Sequence, residues 1–545
     1  MNHRRPAARS SSVARIAVRL VTCALAAIAA LLLLAGTAFA VDGVRLFSKS
    51  NPLVNDRQTD PSTGGQMLVF ADASPDPFGG PFLWSRVWAF NLSTRYGWEI
   101  SPTAIKGPQF VPSVCVLNGV VYAVWVSSDT LTDPGNVDFD LWLWHGDAAG
   151  NGAAPTLLIS GPAATNQTAP DIGVVTYPDG PHVVVAWQDT RDHGTAAPLI
   201  HMLDLPKDSD ANGTPDYLEP GYDPATAATE PISASTIAQH DPTVGPRGVF
   251  WTDERYGAVG GYKSTIFRYD LTVGPPPAAG IFFQDAADYT DSEQPAATSS
   301  GCAWLRMGPA WPSAEPWFMD TGTAVPHLAA IVTNPTAIAT YSTTSMKRVP
   351  LAIVAGHRGA SDADSDIFFA DSATGQTIPV CNVGTTAMNV NTKARYSQVQ
   401  PAITSTPGGT RIVWIDRRQN AAGTLAADLV SWLYTAIVPK VIVAANHSSI
   451  GLGGTVTLTS AVTPNEKGWR VSFQRGTKYT DPLFNTTRYK GWTAIKTVYL
   501  SRYSKALCTW RPMRKGTYYV RAWFNGAGAS GTVPNTSPVL KIVVH

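Results

Sequence analysis

QPAITSTPGGTRIVWIDRR, residues 400–418, reads as a strand, a tight turn and a second apolar strand that ends on Asp416 with arginines behind it. The same sentence recurs in other words at 167–192 (QTAPDIGVVTYPDGPHVVVAWQDTRD) and 239–257 (QHDPTVGPRGVFWTDERYG). Looser versions stand at 66–72 (QMLVFAD), 108–129, 294–306 (QPAATSSGCAWLR) and 348–358 (RVPLAIVAGHR). About seven copies, roughly 50 to 65 residues apart, are the signature of a repeat architecture. One repeat is therefore the unit to explain.

At 545 residues the chain is too long for one ordinary core, so several domains or one large closed repeat are expected. Residues 1–40 stand outside that fold. Arg4, Arg5, Arg9, Arg15 and Arg19 precede an apolar run ending Ala38-Phe39-Ala40. A basic start, an apolar middle and a small-x-small end describe a secretory signal cut after Ala40. The rival is an uncleaved anchor, because the run is just long enough to span a bilayer. Without the five signal arginines the chain carries 36 basic and 40 acidic residues. From Pro439 onward there are 15 Lys and Arg against only Glu466 and Asp481, so the remainder is strongly acidic. Opposed halves imply different partners, or one half docking on the other. Cys115, Cys302, Cys381 and Cys508 lie in different repeats with no metal spacing, the pattern of buried small apolar residues rather than of a disulfide framework.

Residues 41–436 are strand-rich and helix-poor. Short runs of Val, Ile, Trp, Tyr and Phe are bounded by Gly, Pro, Asn and Asp. A third strand follows most copies: RVWAFNLSTRYGW (86–98), DLWLWHGD (140–147), PLIHMLDL (198–205), TIFRYDL (265–271) and DIFFADSATGQ (366–376). A fourth, such as TLLIS (156–160), completes a unit of four strands, which describes a β-propeller. The Q-x-P-A-I, I-V-W-x-D-x-R and D-I-F-F-A-D pattern resembles the blades of TolB-like β-propellers of exported bacterial proteins. That resemblance implies six or seven blades, seven being preferred, because two copies lack the W-x-D ending and the Trp- and Pro-rich stretch 307–326 interrupts the rhythm. It implies no single activity, since such propellers include binding scaffolds, peptidase companions and polysaccharide-cleaving enzymes.

Residues 437–545 change character. Seven strand candidates in about 105 residues, with turn signals between them, predict a β-sandwich. The order G-T-V-T-L-T-S, G-T-Y-Y-V-R-A, S-P-V-L-K-I-V-V resembles bacterial immunoglobulin-like modules. Its cations, among them Lys467, Arg470, Arg475, Arg502 and Lys505, are interleaved with Trp469, Tyr479, Trp492, Tyr503 and Trp510. That mixture suits anionic wall polymers or acidic glycans, or simply a solvated face.

The sharpest chemical motif is DSDANGTPDYLE, residues 208–219, within an insert at 204–222. As a twelve-residue calcium loop it places side-chain oxygens at alternate positions and a glycine where the backbone must turn. It resembles the loops of thrombospondin type-3 and dockerin-like repeats. By that resemblance Asp208, Asp210, Asn212, Asp216 and Glu219 are ligands, Thr214 gives its carbonyl, and the calcium is structural. Pro215 and the lack of an incoming helix depart from a true helix-loop-helix pair. Asp362, Asp364 and Asp366 alternate too, but without the glycine or distal glutamate they read as a polar turn.

Asp189 with Arg191, Asp253 with Arg255 and Asp416 with Arg418 invite a catalytic reading as paired acids and anion binders. They recur in several copies, whereas a catalytic site needs unlike groups converging once, so a structural pairing is preferred. No H-E-x-x-H, G-x-S-x-G or phosphate-cradling loop is present, and His182, His193, His201 and His240 read as separate structural residues. Two functions stay open. One is a secreted or cell-surface, non-enzymatic binding protein, with the propeller as ligand or protein scaffold and the basic sandwich as envelope attachment. The other is a glycan-cleaving propeller hydrolase or lyase. No nucleic-acid partner is expected, and no membrane span once the signal is cut.

Overall fold

The computed structural model describes segments between Val44 and His545; residues 1–43, 46–56, 75–83, 129–138, 256–263, 274–280, 283–290, 308–314, 321–326, 329–352, 359–365, 372–375, 380–397, 417–431 and shorter loops lie outside that description, as do many side chains between 281 and 438. Everything described belongs to one compact unit and is all-β apart from two short 3-10 turns. Among the described residues no helix is long and apolar enough to cross a membrane.

Each repeat folds as its own antiparallel sheet, because the tight turns inside a copy join strands that can pair at once. The first sheet is Arg57–Gly64, Met67–Ser74, Trp84–Asn91 and Tyr96–Glu99, and the second is Gln109–Leu117, Val120–Ser128, Phe139–Gly146 and Thr156–Ile159. The third is Gln167–Tyr177, Gly180–Asp189, Leu199–Asp204 and Glu230–Pro231, and the fourth is Gln239–Gly245, Gly248–Asp253, Thr265–Tyr269 and Ile281–Phe282. The fifth is Asp291–Ala297, Gly301–Met307, Glu315–Asp320 and His327–Leu328, so the stretch expected to interrupt the rhythm supplies a regular third strand. The sixth has three described strands, Ile353–Arg358, Asp366–Asp371 and Gln376–Pro379. The last is Gln398–Thr406, Gly409–Asp416 and Trp432–Val438, completed by Val44–Arg45 from the other end of the chain.

A single sheet of this size has two apolar faces and cannot bury either alone. The core therefore lies between sheets. Met67, Val69 and Val87 of the first pack on Val121, Ala123 and Trp125 of the second. Val184 and Ile200 of the third pack on Val249 and Trp251 of the fourth, and Phe250 and Ile266 of the fourth on Cys302 and Trp304 of the fifth. Leu68, Phe70 and Phe90 of the first pack on Val413 and Ile415 of the last. Successive sheets packed face to face, with the last on the first, make a β-propeller-like arrangement.

The carboxyl-terminal module is two sheets around a second core. Lys440–Ala445, Val456–Thr463 and Lys505–Trp510 form one. Leu540–Val544, Gly516–Phe524, Arg470–Asp481 and Thr486–Tyr499 form the other, with Ser449–Ile450 parallel to Leu540–Val544. Alternation sends Val456, Leu458, Phe473, Val520, Phe524 and Ile542 inward to that core. All seven strands expected from the sequence are present. The module joins the repeats through a bridge between Ile437 and Thr532 and through the Asn535 amide, which donates to the Pro439 carbonyl at 2.7 Å. Cys115, Cys302 and Cys508 are buried and not joined in disulfides among the described residues, and Cys381 lies outside them.

Candidate functional site

The first strand of six sheets carries the same irregularity. Pairing with the second strand slips between Thr59 and Ser62, Phe110 and Ser113, Thr168 and Asp171, His240 and Thr243, Glu293 and Ala296, and Val399 and Ala402. Each slip is a β-bulge containing a proline: Pro61, Pro112, Pro170, Pro242, Pro295 and Pro401. Proline has no N–H to give a ladder, so a bulge is where a strand can hold one. The residue before it turns left-handed, with φ of 50° at Asp60, 48° at Val111, 48° at Ala169 and 51° at Asp241. Such a conformation costs about 1–3 kcal/mol for a residue with a side chain and persists only where its surroundings hold it.

The bulges line a cavity of about 580 Å³, walled by Pro61–Gly65, Val111–Val114, Ala169–Gly173, Asp241–Val244, Pro295–Ala296 and Ala402–Thr404. After four of these prolines the next residue reaches across to the following sheet. Ser62 Oγ accepts from Val114 N at 3.3 Å, Ser113 Oγ from Ile172 N at 3.3 Å, Asp171 Oδ2 from Val244 N at 2.7 Å, and Thr243 Oγ1 from Ala297 N at 3.1 Å. Between the last sheet and the first, Thr404 Oγ1 donates to the Gly65 carbonyl at 2.7 Å. The backbones approach so closely that a Cβ on Gly64 would lie 2.6 Å from Val114 O, and one on Gly173 2.5 Å from Val244 O.

Asp171 is the one carboxylate in this chain of links. It also accepts from Ser113 Oγ at 2.6 Å and from Ile172 N at 3.0 Å, and so ties three sheets together. Burial pushes its carboxyl up, against the opposing pull of the Ser113, Val244, Thr243 and Ile172 hydrogen bonds. Asp241, at the left-handed position of the fourth sheet, lines the cavity and is exposed there; partial desolvation by the wall raises its carboxyl, against the pull of His240.

At the far end of the same strands lies the Trp-x-Asp motif. The register sets Gln167 opposite Asp189, Gln239 opposite Asp253 and Gln398 opposite Asp416. Asp253 is fully buried and accepts from Gln239 Nε2 at 2.9 Å, Trp251 Nε1 at 3.1 Å and Arg255 N at 2.9 Å, with Arg255 Nη2 at 2.7 Å. The Gln239 oxygen meanwhile takes Ile200 N of the preceding sheet at 3.1 Å. Asp189 repeats the design with Trp187 Nε1 at 2.9 Å and Arg191 Nε at 2.9 Å. Burial acts to raise the Asp189 carboxyl, but its Arg191 and Trp187 bonds outweigh that and hold it low. Through Gln239 the Asp253 site joins the fourth sheet to the third, and neither aspartate is among the residues walling the cavity above. In the second sheet Ser127 stands in the aspartate's place, and among the described residues the Trp125 N–H and the Gln109 amide have no hydrogen-bond partner.

The histidines pair locally: His182 with Asp204 at 2.8 Å, His201 with Asp192 at 2.8 Å and His240 with Glu254 at 3.2 Å. Burial lowers the His201 imidazole, while Asp189 and Asp192 pull the other way. His193 lies outside the described residues.

The acidic insert sits between the third and fourth strands of the third sheet. Asp208 and Asp210 lie outside the described residues. Asn212 and Glu219 meet, the Asn212 amide donating to Glu219 Oε1 at 2.5 Å while its oxygen accepts Thr214 N at 2.8 Å. Asp216 opens a 3-10 turn that buries Tyr217 in the core between the second and third sheets. Tyr222 donates its hydroxyl to the Leu158 carbonyl at 2.7 Å. The insert thus seals a seam. Among the described residues no group of three or more His, Cys, Asp or Glu is gathered as a metal centre would need.

No protein-family profile matches the chain, and no curated protein sequence matches it. Among solved structures, puromycin hydrolase aligns at 12% identity, covering 71% of this chain and 62% of that one, with a TM-score of 0.36. A structure from an analysis of two prolyl endopeptidases aligns at 11% identity over 76% of this chain and 55% of that one, TM-score 0.38. Xylan β-1,4-xylosidase from Bacillus halodurans C-125 aligns at 10% identity over 90% of this chain and 91% of that one, TM-score 0.27. The chain spans less than two thirds of the length of the puromycin hydrolase and prolyl endopeptidase structures. Superpositions this loose say nothing of activity, and the propeller-like architecture rests on the sheet order and packing given above.

Proposed function

We propose that this is an extracytoplasmic binding protein. Seven blades, closed where Val44–Arg45 completes the last sheet, surround a channel that receives a ligand or protein segment. The observation that carries the reading is the make-up of the channel wall. It is built from one repeated proline bulge whose polar groups are committed to neighbouring sheets, and the hydroxyl–carboxylate contact in it, Ser113 with Asp171, is spent on the Ile172 and Val244 N–H groups. Such a wall suits holding rather than transforming.

The insert, on this reading, binds a structural calcium through Asp208, Asp210, Asn212, Asp216, Glu219 and the Thr214 carbonyl. The meeting of Asn212 with Glu219 and the anchoring of the loop by Tyr217 and Tyr222 fit that role. The carboxyl-terminal module is immunoglobulin-like, in keeping with its sheet order, and attaches the protein to the envelope through its cations.

One observation favours a second reading, glycan cleavage: Asp241 and Asp171 both belong to the cavity wall and both have raised carboxyls, as a proton donor requires. The test is incubation of the mature chain with a panel of wall and plant polysaccharides, scoring retention and released fragments. Retention without fragments is expected. Fragment release that Asp241→Asn abolishes would replace the binding reading with the enzymatic one.

A further inference from the structure

The sandwich carries a ridge of cations and aromatic rings that neither its core nor its junction with the repeats uses. Arg470 stands opposite Tyr499 across the paired strands. Its guanidinium donates to the Tyr499 hydroxyl at 2.7 Å and lies 5.0 Å from the ring centroid. One turn later the Arg502 guanidinium lies 4.6 Å from the centre of the Tyr503 ring. Trp469 stands beside them, its carbonyl accepting Leu500 N at 2.7 Å.

The turn that presents Arg502 and Tyr503 is fastened from behind. Ser501 N donates to the Lys505 carbonyl at 2.8 Å, Asn465 Nδ2 to the Arg502 carbonyl at 3.1 Å, and Glu466 N to Ser504 Oγ at 3.0 Å. Ser504 takes a left-handed φ of 56° to close it. Yet the rings held there face outward: Tyr499 is 60%, Tyr503 66% and Trp469 38% exposed. Rigid backbone behind exposed rings is the arrangement of a preorganised contact surface, because little side-chain or loop freedom remains to be lost on binding.

The charge around the ridge is one-sided. Lys467, Arg470, Arg502 and Lys505 flank it. Of the module's two acids, Glu466 is buried and accepts the Thr532 hydroxyl. With 15 Lys and Arg against two acids from Pro439 onward, the module's cations far outnumber its anions. We propose that this ridge is a binding subsite for an acidic polysaccharide, sugar rings resting on Tyr499, Tyr503 and Trp469 while Arg470 and Arg502 take the carboxylate or sulfate groups. A guanidinium fork matches such groups with two parallel hydrogen bonds. The guanidinium beside each tyrosine sets an anion-binding fork next to each ring, a pairing that suits a polymer carrying a carboxylate or sulfate on its sugars. The inference rests on the attachment role given to this module above and supplies its site and ligand class.

The experiment measures binding of the mature chain to polygalacturonate, to neutral dextran and to single-stranded polynucleotide, at low and high salt. Polygalacturonate is expected to bind, less tightly as salt rises, and better than the other two. Arg470→Ala with Arg502→Ala, and Tyr499→Ala with Tyr503→Ala, should each weaken it about tenfold or more, as loss of charge-assisted contacts predicts. Lys440→Ala with Lys541→Ala, exposed cations elsewhere on the module, should change it less than about twofold. Melting curves of each variant check folding, which these exposed side chains leave intact. Undiminished binding in both ridge variants overturns the subsite while leaving envelope attachment standing. Equal binding of dextran, or preference for polynucleotide, overturns the ligand class. Failure of the unaltered protein to bind any polysaccharide overturns the subsite and the attachment role together.

Discussion

Replacing Asp189 by asparagine removes one negative charge from the protein interior. The side chain is fully buried, and its Arg191 partner is 15% exposed. Asparagine keeps an oxygen for the Arg191 N–H but turns an NH2 toward donors, so the Trp187 and Arg191 Nε bonds, each 2.9 Å, and the 2.8 Å ion pair are lost together. Breaking a buried pair by removing one partner costs about 3–5 kcal/mol, in line with two hydrogen bonds to a charged group at about 1.5–3 kcal/mol each. Urea unfolding followed by tryptophan fluorescence reads this as a lower midpoint at unchanged slope. Removing Arg191 as well should make the asparagine about 2–3 kcal/mol less costly, which is the coupling read from the double-mutant cycle. The sign with pH follows. A carboxyl held low in the folded state stabilises above its unfolded value near 3.9, and that contribution is lost as pH falls through the folded value. The substituted protein should therefore lose less stability than the unaltered one on acidification below about pH 4. A loss under about 1 kcal/mol, or no coupling to Arg191, would refute the idea that these motifs are interior locks.

Further tests address the remaining features. Gly173→Ala puts a methyl 2.5 Å from the Val244 carbonyl, a backbone atom that cannot swing aside, and should cost about 1–3 kcal/mol by the same unfolding assay. Asp171 titrates in the opposite sense to Asp189. Its carboxyl is raised by burial, so its contribution is fully present below the unfolded value and fades as pH rises through the folded one, and the stability gap between the unaltered protein and Asp171→Asn should be widest at low pH. Ser127→Asn offers a side-chain oxygen where the Trp125 N–H has no partner among the described residues, and should raise the unfolding free energy by about 0.5–1.5 kcal/mol. Chelation should lower the melting temperature if calcium binds only the folded insert, and Glu219→Ala should abolish that response; an unchanged melt would remove calcium from the account.

What the sequence made legible was whatever repeats with its chemistry intact. Trp187-x-Asp189-x-Arg191 and Trp251-x-Asp253-x-Arg255 declare strand ends, and their recurrence pointed to a pairing of Asp with Arg, which the structure shows at 2.8 and 2.7 Å. The strands of the sandwich were equally plain, since alternation and turn residues agree. The wall of the cavity was not. Aligning copies on Gln400 and Gln294 puts them at the bulge, whereas the residue opposite the terminal aspartate is two positions earlier, at Gln398. The first copy likewise begins at Gln58 rather than Gln66. The hidden signal is Gln-x-x-Pro, repeated at Gln58, Gln109, Gln167, Gln239 and Gln398. A proline in a strand reads as a flaw until the bulge gives it a place. Asp171 was invisible for another reason: it occupies a slot filled elsewhere by serine, threonine or alanine, and only the crossing between sheets gives it importance.

The pairing of Val44–Arg45 with Trp432–Val438 has a consequence for how the molecule is made. A chain leaving the ribosome or a secretion pore amino end first exposes Val44 at the outset, yet its hydrogen-bonding mate emerges only after every other repeat has been delivered. The leading segment must stay unpaired throughout passage, and the final annealing step joins two distant ends, the kind of non-local contact that folds slowly. Until then, the first and last repeats each hold an uncovered apolar flank, and any truncation upstream of Val438 strands the molecule in that vulnerable, protease-accessible form.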